Sequence, residues 1–248
     1  MDFAITPCPN DTFSYYRLIE KIGGESGFNF VFHDIETLNK FAFEGKYEIT
    51  KLSFPAAIAN SDKYEILDAG AALGIGTGPV FVARGEWRGG RAAVPGLNTT
   101  AALLFKFWAG KNVEIFPMLY SEILPAFARK EIDAGVLIHE GRFVYKDYGL
   151  SLVQDLGEFW TNKTSHPVPL GCICIRRDVL SKKDFVQQKM RESIKYAFAN
   201  FEKTIPLVKS RARHLQDDVL RRHITAFVNE YSYDISNIKA DLIAKLGG

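Results

Sequence analysis

Short apolar runs alternate with segments of helical period along most of this chain. Residues 3–5 read as a strand, followed by a turn over 7–11. A helix over 12–22 follows, with an Asn/Asp/Thr start signal and a Gly23-Gly24 stop. Residues 29–34 form a second strand. Residues 35–43 form a helix carrying Leu38, Phe41 and Ala42 on one face, closed by Gly45. A third strand is expected over 47–52 and a helix from 54 to 60. Strands over 66–72 and 80–84 flank a glycine-rich loop at 74–79. Residues 85–91 read as a connection between lobes. A second βα series then begins, with strands at 91–94, 113–117 and 133–138 and helices at 101–108 and 121–129. A strand at 171–176 returns the chain to its first half, and 182–246 is nearly all helical by period.

This order predicts an α/β protein of two lobes joined by two crossings, a periplasmic-binding-protein-like (type II) architecture with a hinged cleft between the lobes. The larger lobe is expected to comprise residues 1–86 plus 177–248, and the smaller 87–176, with the site in the cleft between them. A single doubly wound sheet is the competing arrangement.

Composition narrows the partners. The 248 residues are 47% hydrophobic and 24% charged, with a formal net charge of +2. That balance gives no reason to expect nucleic acid or a membrane surface. No apolar run approaches the ~18 residues of a membrane span. The N-terminal residues lack a basic segment followed by a long apolar one, so a secretory leader is not expected and the cytoplasm is the expected compartment. Monomer and homodimer are equally open. Cys8, Cys172 and Cys174 build no disulfide framework. Cys172 and Cys174 are expected on opposite faces of one strand, as core cysteines.

The candidate chemistry gathers where strands end. Leu-Ile-His-Glu-Gly-Arg (137–142) puts His139 just past the carboxyl end of a buried strand, where ligands of open α/β sheets bind. A histidine there can exchange protons near neutral pH; the alternative is a partly buried histidine bonded to backbone. Asn98-Thr99-Thr100 precedes a helix and offers an anion site, or an ordinary cap. Lys51-Leu52-Ser53 ends the third strand: Ser53 can donate to a ligand or cap the next helix, and Lys51 can be a solvated side chain. Pro7-Cys8-Pro9-Asn10-Asp11-Thr12 is a rigid loop presenting Asn10 and Asp11, with no sign of an activated Cys8 thiol. The 74–79 loop lacks the spacing of a dinucleotide fingerprint. His33, His166, His214 and His223 have no metal-ligand spacing, so no metal is expected. His214 and His223 read as solvated, and 209–222 as a mixed charged face.

Six segments carry a family resemblance: Thr-Pro-Cys-Pro-Asn-Asp-Thr-Phe (6–13), Thr-Lys-Leu-Ser-Phe (50–54), Gly-Ala-Ala-Leu-Gly (70–74), Leu-Ile-His-Glu-Gly-Arg (137–142), Pro-Leu-Gly-Cys-Ile-Cys-Ile-Arg-Arg-Asp (169–178) and Phe-Val-Asn-Glu-Tyr (227–231). In these the chain resembles the 1,4-dihydroxy-6-naphthoate synthases of the futalosine route to menaquinone. The resemblance implies a lyase that converts cyclic dehypoxanthinylfutalosine to 1,4-dihydroxy-6-naphthoate and releases a three-carbon fragment, dihydroxyacetone, without a cofactor. It implies His139 as proton acceptor, and Lys51, Leu52, Ser53, Thr99 and Thr100 around a small carboxylate substrate; Asn10 joins them as a binding candidate. Thr77 departs from the pattern, standing where a cysteine is expected. A solute-binding protein of the same fold, or the sister enzyme chorismate dehydratase, are the alternatives.

Overall fold

The computed structural model describes residues 1–20, 27–110, 113–212 and 215–247. The Gly23-Gly24 stop and His214 lie outside the described residues. The first half runs β1 (Asp2–Ile5), α1 (Pro9–Ser14), α2 (Tyr16–Glu20), β2 (Asn29–Phe32), α3 (Ile35–Phe43), β3 (Ile49–Ser53), α4 (Phe54–Ala59), β4 (Tyr64–Ile66), β5 (Ala72–Gly74) and β6 (Val80–Ala83). Then come β7 (Arg91–Val94), α5 (Thr100–Ala109), β8 (Glu114–Pro117), α6 (Tyr120–Ala128), β9 (Ala134–Leu137), α7 (Gly141–Val144), β10 (Ser151–Asp155), α8 (Leu156–Thr164) and β11 (Val168–Arg176). Helices α9 (Lys183–Ala199), α10 (Phe201–Arg211), α11 (Asp217–Phe227), α12 (Glu230–Tyr233) and α13 (Lys239–Gly247) complete the described chain.

Two sheets organise these elements. The first has the order β2-β1-β3-β11-β4, with β5 also paired to β11. Its β2, β1 and β3 are parallel, and β11 runs antiparallel to β3, β4 and β5. The second has the order β10-β6-β9-β7-β8. Strand β6 therefore belongs to the second sheet and β11 to the first, whereas the sequence reading put 80–83 in the larger lobe and 168–176 in the smaller. Residues 85–91 join two strands of one sheet and are not the interlobe connection. The crossings fall instead at 75–79 and just before β11. Apolar runs reveal that strands exist, but their pairing depends on residues far away in sequence.

The first crossing is tight. A Cβ on Gly78 would stand 2.7 Å from Gly157 Cα, and one on Gly157 would stand 2.7 Å from Gly78 N, so both positions require glycine. The expected 66–72 strand is two short strands, β4 and β5, divided where Gly70 adopts φ +86°.

The helices follow local rules. Asp34 caps α3 by accepting from Glu36 N and Thr37 N, both at 3.1 Å, and Ile35, Leu38 and Ala42 are buried. Five positions of β3 are all buried, which divides its side chains between two environments. Leu52 enters an apolar cluster with Phe54, Phe81, Val94 and Phe105 that spans both sheets. Cys172 and Cys174 enter the same cluster with their sulfurs 3.8 Å apart. They share one face, contrary to expectation, because residues two apart on a strand point the same way.

Candidate active site

Strand β9 delivers the chain to a turn over 138–141, closed by Gly141 N donating to Ile138 O. His139 occupies this turn at φ +52°, a left-handed conformation that costs a non-glycine residue free energy; among the described residues only Lys130 and Ser165, at the ends of α6 and α8, share it outside glycine. The next residues hold it in place. The Arg142 guanidinium donates to Gly78 O at the first crossing and to Asp155 Oδ2 at 3.1 Å. The turn is thereby tied to the crossing and to the start of α8.

His139 faces a cavity of about 80 Å3 that opens to solvent. Opposite elements supply its polar wall. Asp11 of α1 takes four donors: Lys51 Nζ at 2.8 Å, Asn10 Nδ2 at 2.9 Å, Thr6 Oγ1 at 2.7 Å and Thr6 N at 3.3 Å. Lys51 is 5% exposed, so it is not a solvated side chain. Its ion pair with Asp11 cancels both buried charges while two ammonium protons remain for a ligand. Ser53 Oγ accepts from Asn39 Nδ2 at 3.1 Å, which leaves its own proton free to donate.

Helix α5 begins at the same cavity. Thr99 is its cap: its hydroxyl accepts from Ala102 N at 3.2 Å and donates to Gly96 O at 2.8 Å. The Thr100 hydroxyl donates to Pro169 O at 2.8 Å. Both hydroxyl protons are thus committed within the protein. The first-turn N–H groups of Thr100 and Ala101 lack intrahelical acceptors and remain for an anion.

Electrostatics sets the protonation states. Burial holds the His139 imidazole below its ordinary value of 6.5, and Lys51 adds to this, against the raising influence of Glu140 and Asp11. Burial likewise pushes the Cys8 thiol up, so it stays protonated and unsuited to nucleophilic attack. Its sulfur lies 3.6 Å from His139 Nε2. The Tyr120 ring meets His139 edge-on at 4.8 Å, and its hydroxyl is pushed up by Cys8 and by burial.

Of the residues expected from sequence, His139, Lys51, Ser53, Thr99, Thr100 and Asn10 all line this cavity. Leu52 does not. It alternates with Lys51 and Ser53, so its side chain points into the apolar cluster. His223 corrects the sequence reading most. Read as solvated, it is 0% exposed and stacks behind His139, with ring centroids 5.6 Å apart and planes 20° apart. The signal was present: Val219, Leu220, His223, Ile224 and Phe227 form one buried stripe of α11. Tyr120 had no comparable signal. Among the described residues, no group of three or more His, Cys, Asp or Glu side chains is arranged to hold a metal ion. Nor is any described helix long and apolar enough to cross a membrane.

Two mixed sheets exchanging strands around a largely apolar cavity with one polar wall define a periplasmic-binding-protein-like α/β fold, and solved structures agree. An alkanesulfonate-binding protein of Xanthomonas axonopodis pv. citri, bound to MOPS, superposes with a TM-score of 0.74 over 99% of this chain and 89% of its own, at 11% identity. A ligand-binding component of an ABC-type import system from Staphylococcus aureus gives 0.71 at 12% identity, over 99% and 89%. At such identities the likeness concerns the fold alone. A crystal structure of an Archaeoglobus fulgidus protein is far nearer, with a TM-score of 0.92 and 38% identity over 99% of this chain and 95% of that one.

The chain belongs to the menaquinone biosynthesis family, whose model matches residues 1–246. A 1,4-dihydroxy-6-naphthoate synthase of Thermus thermophilus is 40% identical, covering 97% of this chain and 90% of its own. One from Streptomyces coelicolor is 35% identical over 95% and 87%.

Proposed function

We propose that this protein is a 1,4-dihydroxy-6-naphthoate synthase, a carbon–carbon lyase acting on cyclic dehypoxanthinylfutalosine with His139 as the proton acceptor. The observation that carries this reading is His139 itself: a neutral imidazole, in a left-handed backbone, facing a cavity walled by Lys51, Ser53 and the start of α5. Family membership and the two named relatives support the reaction class.

Each group has a role in this reading. The substrate's carboxylate fits the free N–H groups of Thr100 and Ala101, with Ser53 and the spare Lys51 protons as further donors. A neutral His139 removes a proton beside the bond to be cleaved. The three-carbon fragment leaves as the ring system becomes aromatic, and aromatisation supplies much of the driving force. Orientation, deprotonation and exclusion of water are then the protein's tasks, and no cofactor is invoked. Closure of two lobes about the crossings at 75–79 and before β11 would exclude water. The reading makes this a cytoplasmic enzyme of a small carboxylate substrate, as monomer or homodimer.

The test is purified protein mixed with cyclic dehypoxanthinylfutalosine, product formation being followed by mass. Wild type is expected to release 1,4-dihydroxy-6-naphthoate, and His139→Asn to slow turnover by about 10²–10⁴-fold while still binding ligand. Binding without turnover by wild type would favour a solute-binding protein. Near-normal turnover by His139→Asn would remove His139 from the chemistry.

A further inference from the structure

A general base is usually oriented by a third group, commonly an oxygen that accepts from its second ring nitrogen. Among the described residues no oxygen is hydrogen-bonded to the His139 ring. Among the described residues its polar side-chain contact is the Cys8 thiol, 3.6 Å from Nε2. The ring is held instead by Tyr120 at its edge and by His223, nearly parallel to it at 5.6 Å.

His223 is buried behind His139, outside the cavity lining. Its own orientation follows from the ion pair. Lys51 Nζ and Asn10 Nδ2 both donate to Asp11 Oδ1. That contact fixes which end of the Asn10 amide is nitrogen, so the other end, Oδ1, is the atom 3.0 Å from His223 Nε2. An amide oxygen only accepts, so Nε2 carries the hydrogen and Nδ1 bears a lone pair. This Nδ1 is buried with no partner among the described residues. Protonating it would bury a donor with no acceptor, so the ring is kept neutral.

We propose that His223 is the positioning residue for His139: a neutral imidazole, locked by Asn10 in its Nε2–H form, whose face steadies the base and receives it as an imidazolium. The inference rests on His139 being the proton acceptor. A cation is attracted to an aromatic face, more strongly where water is excluded, whereas a protonated neighbour would repel it. The titratable and charged groups around the pair are Cys8 and Asp11 at the start of the chain, Lys51 on β3, Tyr120 on α6 and Glu140 beside His139. None of these hydrogen-bonds to His223; burial keeps it neutral, His139 and Lys51 act in the same direction, and Asn10 sets which nitrogen holds its proton. Asn10 is thereby reassigned. Both ends of its amide are engaged within the protein, so it serves His223 and Asp11 ahead of any substrate.

The experiment compares His223→Phe, which keeps an aromatic face, with His223→Leu, which loses it, beside wild type and His139→Asn. His223→Leu is expected to lower kcat about tenfold or more with KM and 1,4-dihydroxy-6-naphthoate binding little changed, and His223→Phe to keep kcat within about threefold. Wild-type kcat in the Leu variant, or an equal loss in both variants, would overturn the proposal. Imidazole 15N spectra of wild type add a readout independent of activity and of how the variants fold. They are expected to show His223 neutral with its proton on Nε2 over roughly pH 5.5–8. Titration within that interval, or a proton on Nδ1, would overturn the lock. An active His139→Asn would instead sink the base assignment, so the two failures are distinguishable.

Discussion

Lys51 is the residue whose environment departs furthest from what its chemistry suggests. A lysine beside Leu52 on a strand reads as a charge reaching solvent, yet both Lys51 and Asp11 are almost fully enclosed. A buried pair of this kind adds little net stability, but removing one partner strands the other charge. Lys51→Met is therefore expected to lower unfolding free energy by about 3–5 kcal/mol in denaturant titrations. Adding Asp11→Asn should recover part of that loss, since a neutral amide costs less to bury. Full stability of the single variant would mean that water reaches Asp11. The candidate positions were legible in short motifs because strand ends and helix starts have local signatures. The pairing of Lys51 with Asp11, forty residues apart, had none.

At the scale of elements, strand alternation and helix capping explain both the successes and the errors. The same period that brings Lys51 and Ser53 to the cavity turns Leu52 away from it, so a motif of three consecutive residues could not all bind through side chains. Thr99 is a cap first: its hydroxyl closes α5 on both sides, to Ala102 N and Gly96 O. Thr99→Val is thus expected to cost about 1 kcal/mol of stability, within a range of roughly 0.5–2, seen as a lowered melting temperature. KM should rise only as far as α5 frays, and Thr99→Ser should restore both. A large KM increase at unchanged melting temperature would show instead that the hydroxyl itself binds the carboxylate. Helix α11 carries the opposite lesson. Its apolar stripe was readable, and a histidine within that stripe belongs inside.

For the whole molecule, the apolar cluster that includes Leu52 and Phe54 of the first sheet's side and Phe81 and Phe105 of the second makes the two sheets one cooperative unit. A single unfolding transition is expected, common to probes in either half. Part of its pH dependence follows from His223, which burial holds well below 6.5, and His139, also held below that value, acts in the same sense. As pH falls below about 6.5 the unfolded chain takes up the His223 proton more readily than the folded chain, so stability drops for this group. Above pH ~6.5 both states are neutral there and the contribution is flat. Denaturant midpoints measured from pH 5 to 8 check this, and His223→Phe should remove that share of the slope. An unchanged slope in the variant would assign the acid loss to other groups.

The sequence by itself determined the α/β class, the sites of most strands and helices, and the short motifs at strand ends that gather around the cavity. These are local matters of period, cap and turn, encoded within a few residues. Only the tertiary structure decided which sheet β6 and β11 join, that Lys51 is neutralised by Asp11, and that His223 of α11 stands behind His139 of the β9 turn. Those outcomes rest on packing between segments 40 to 120 or more residues apart, and no local period carries that information.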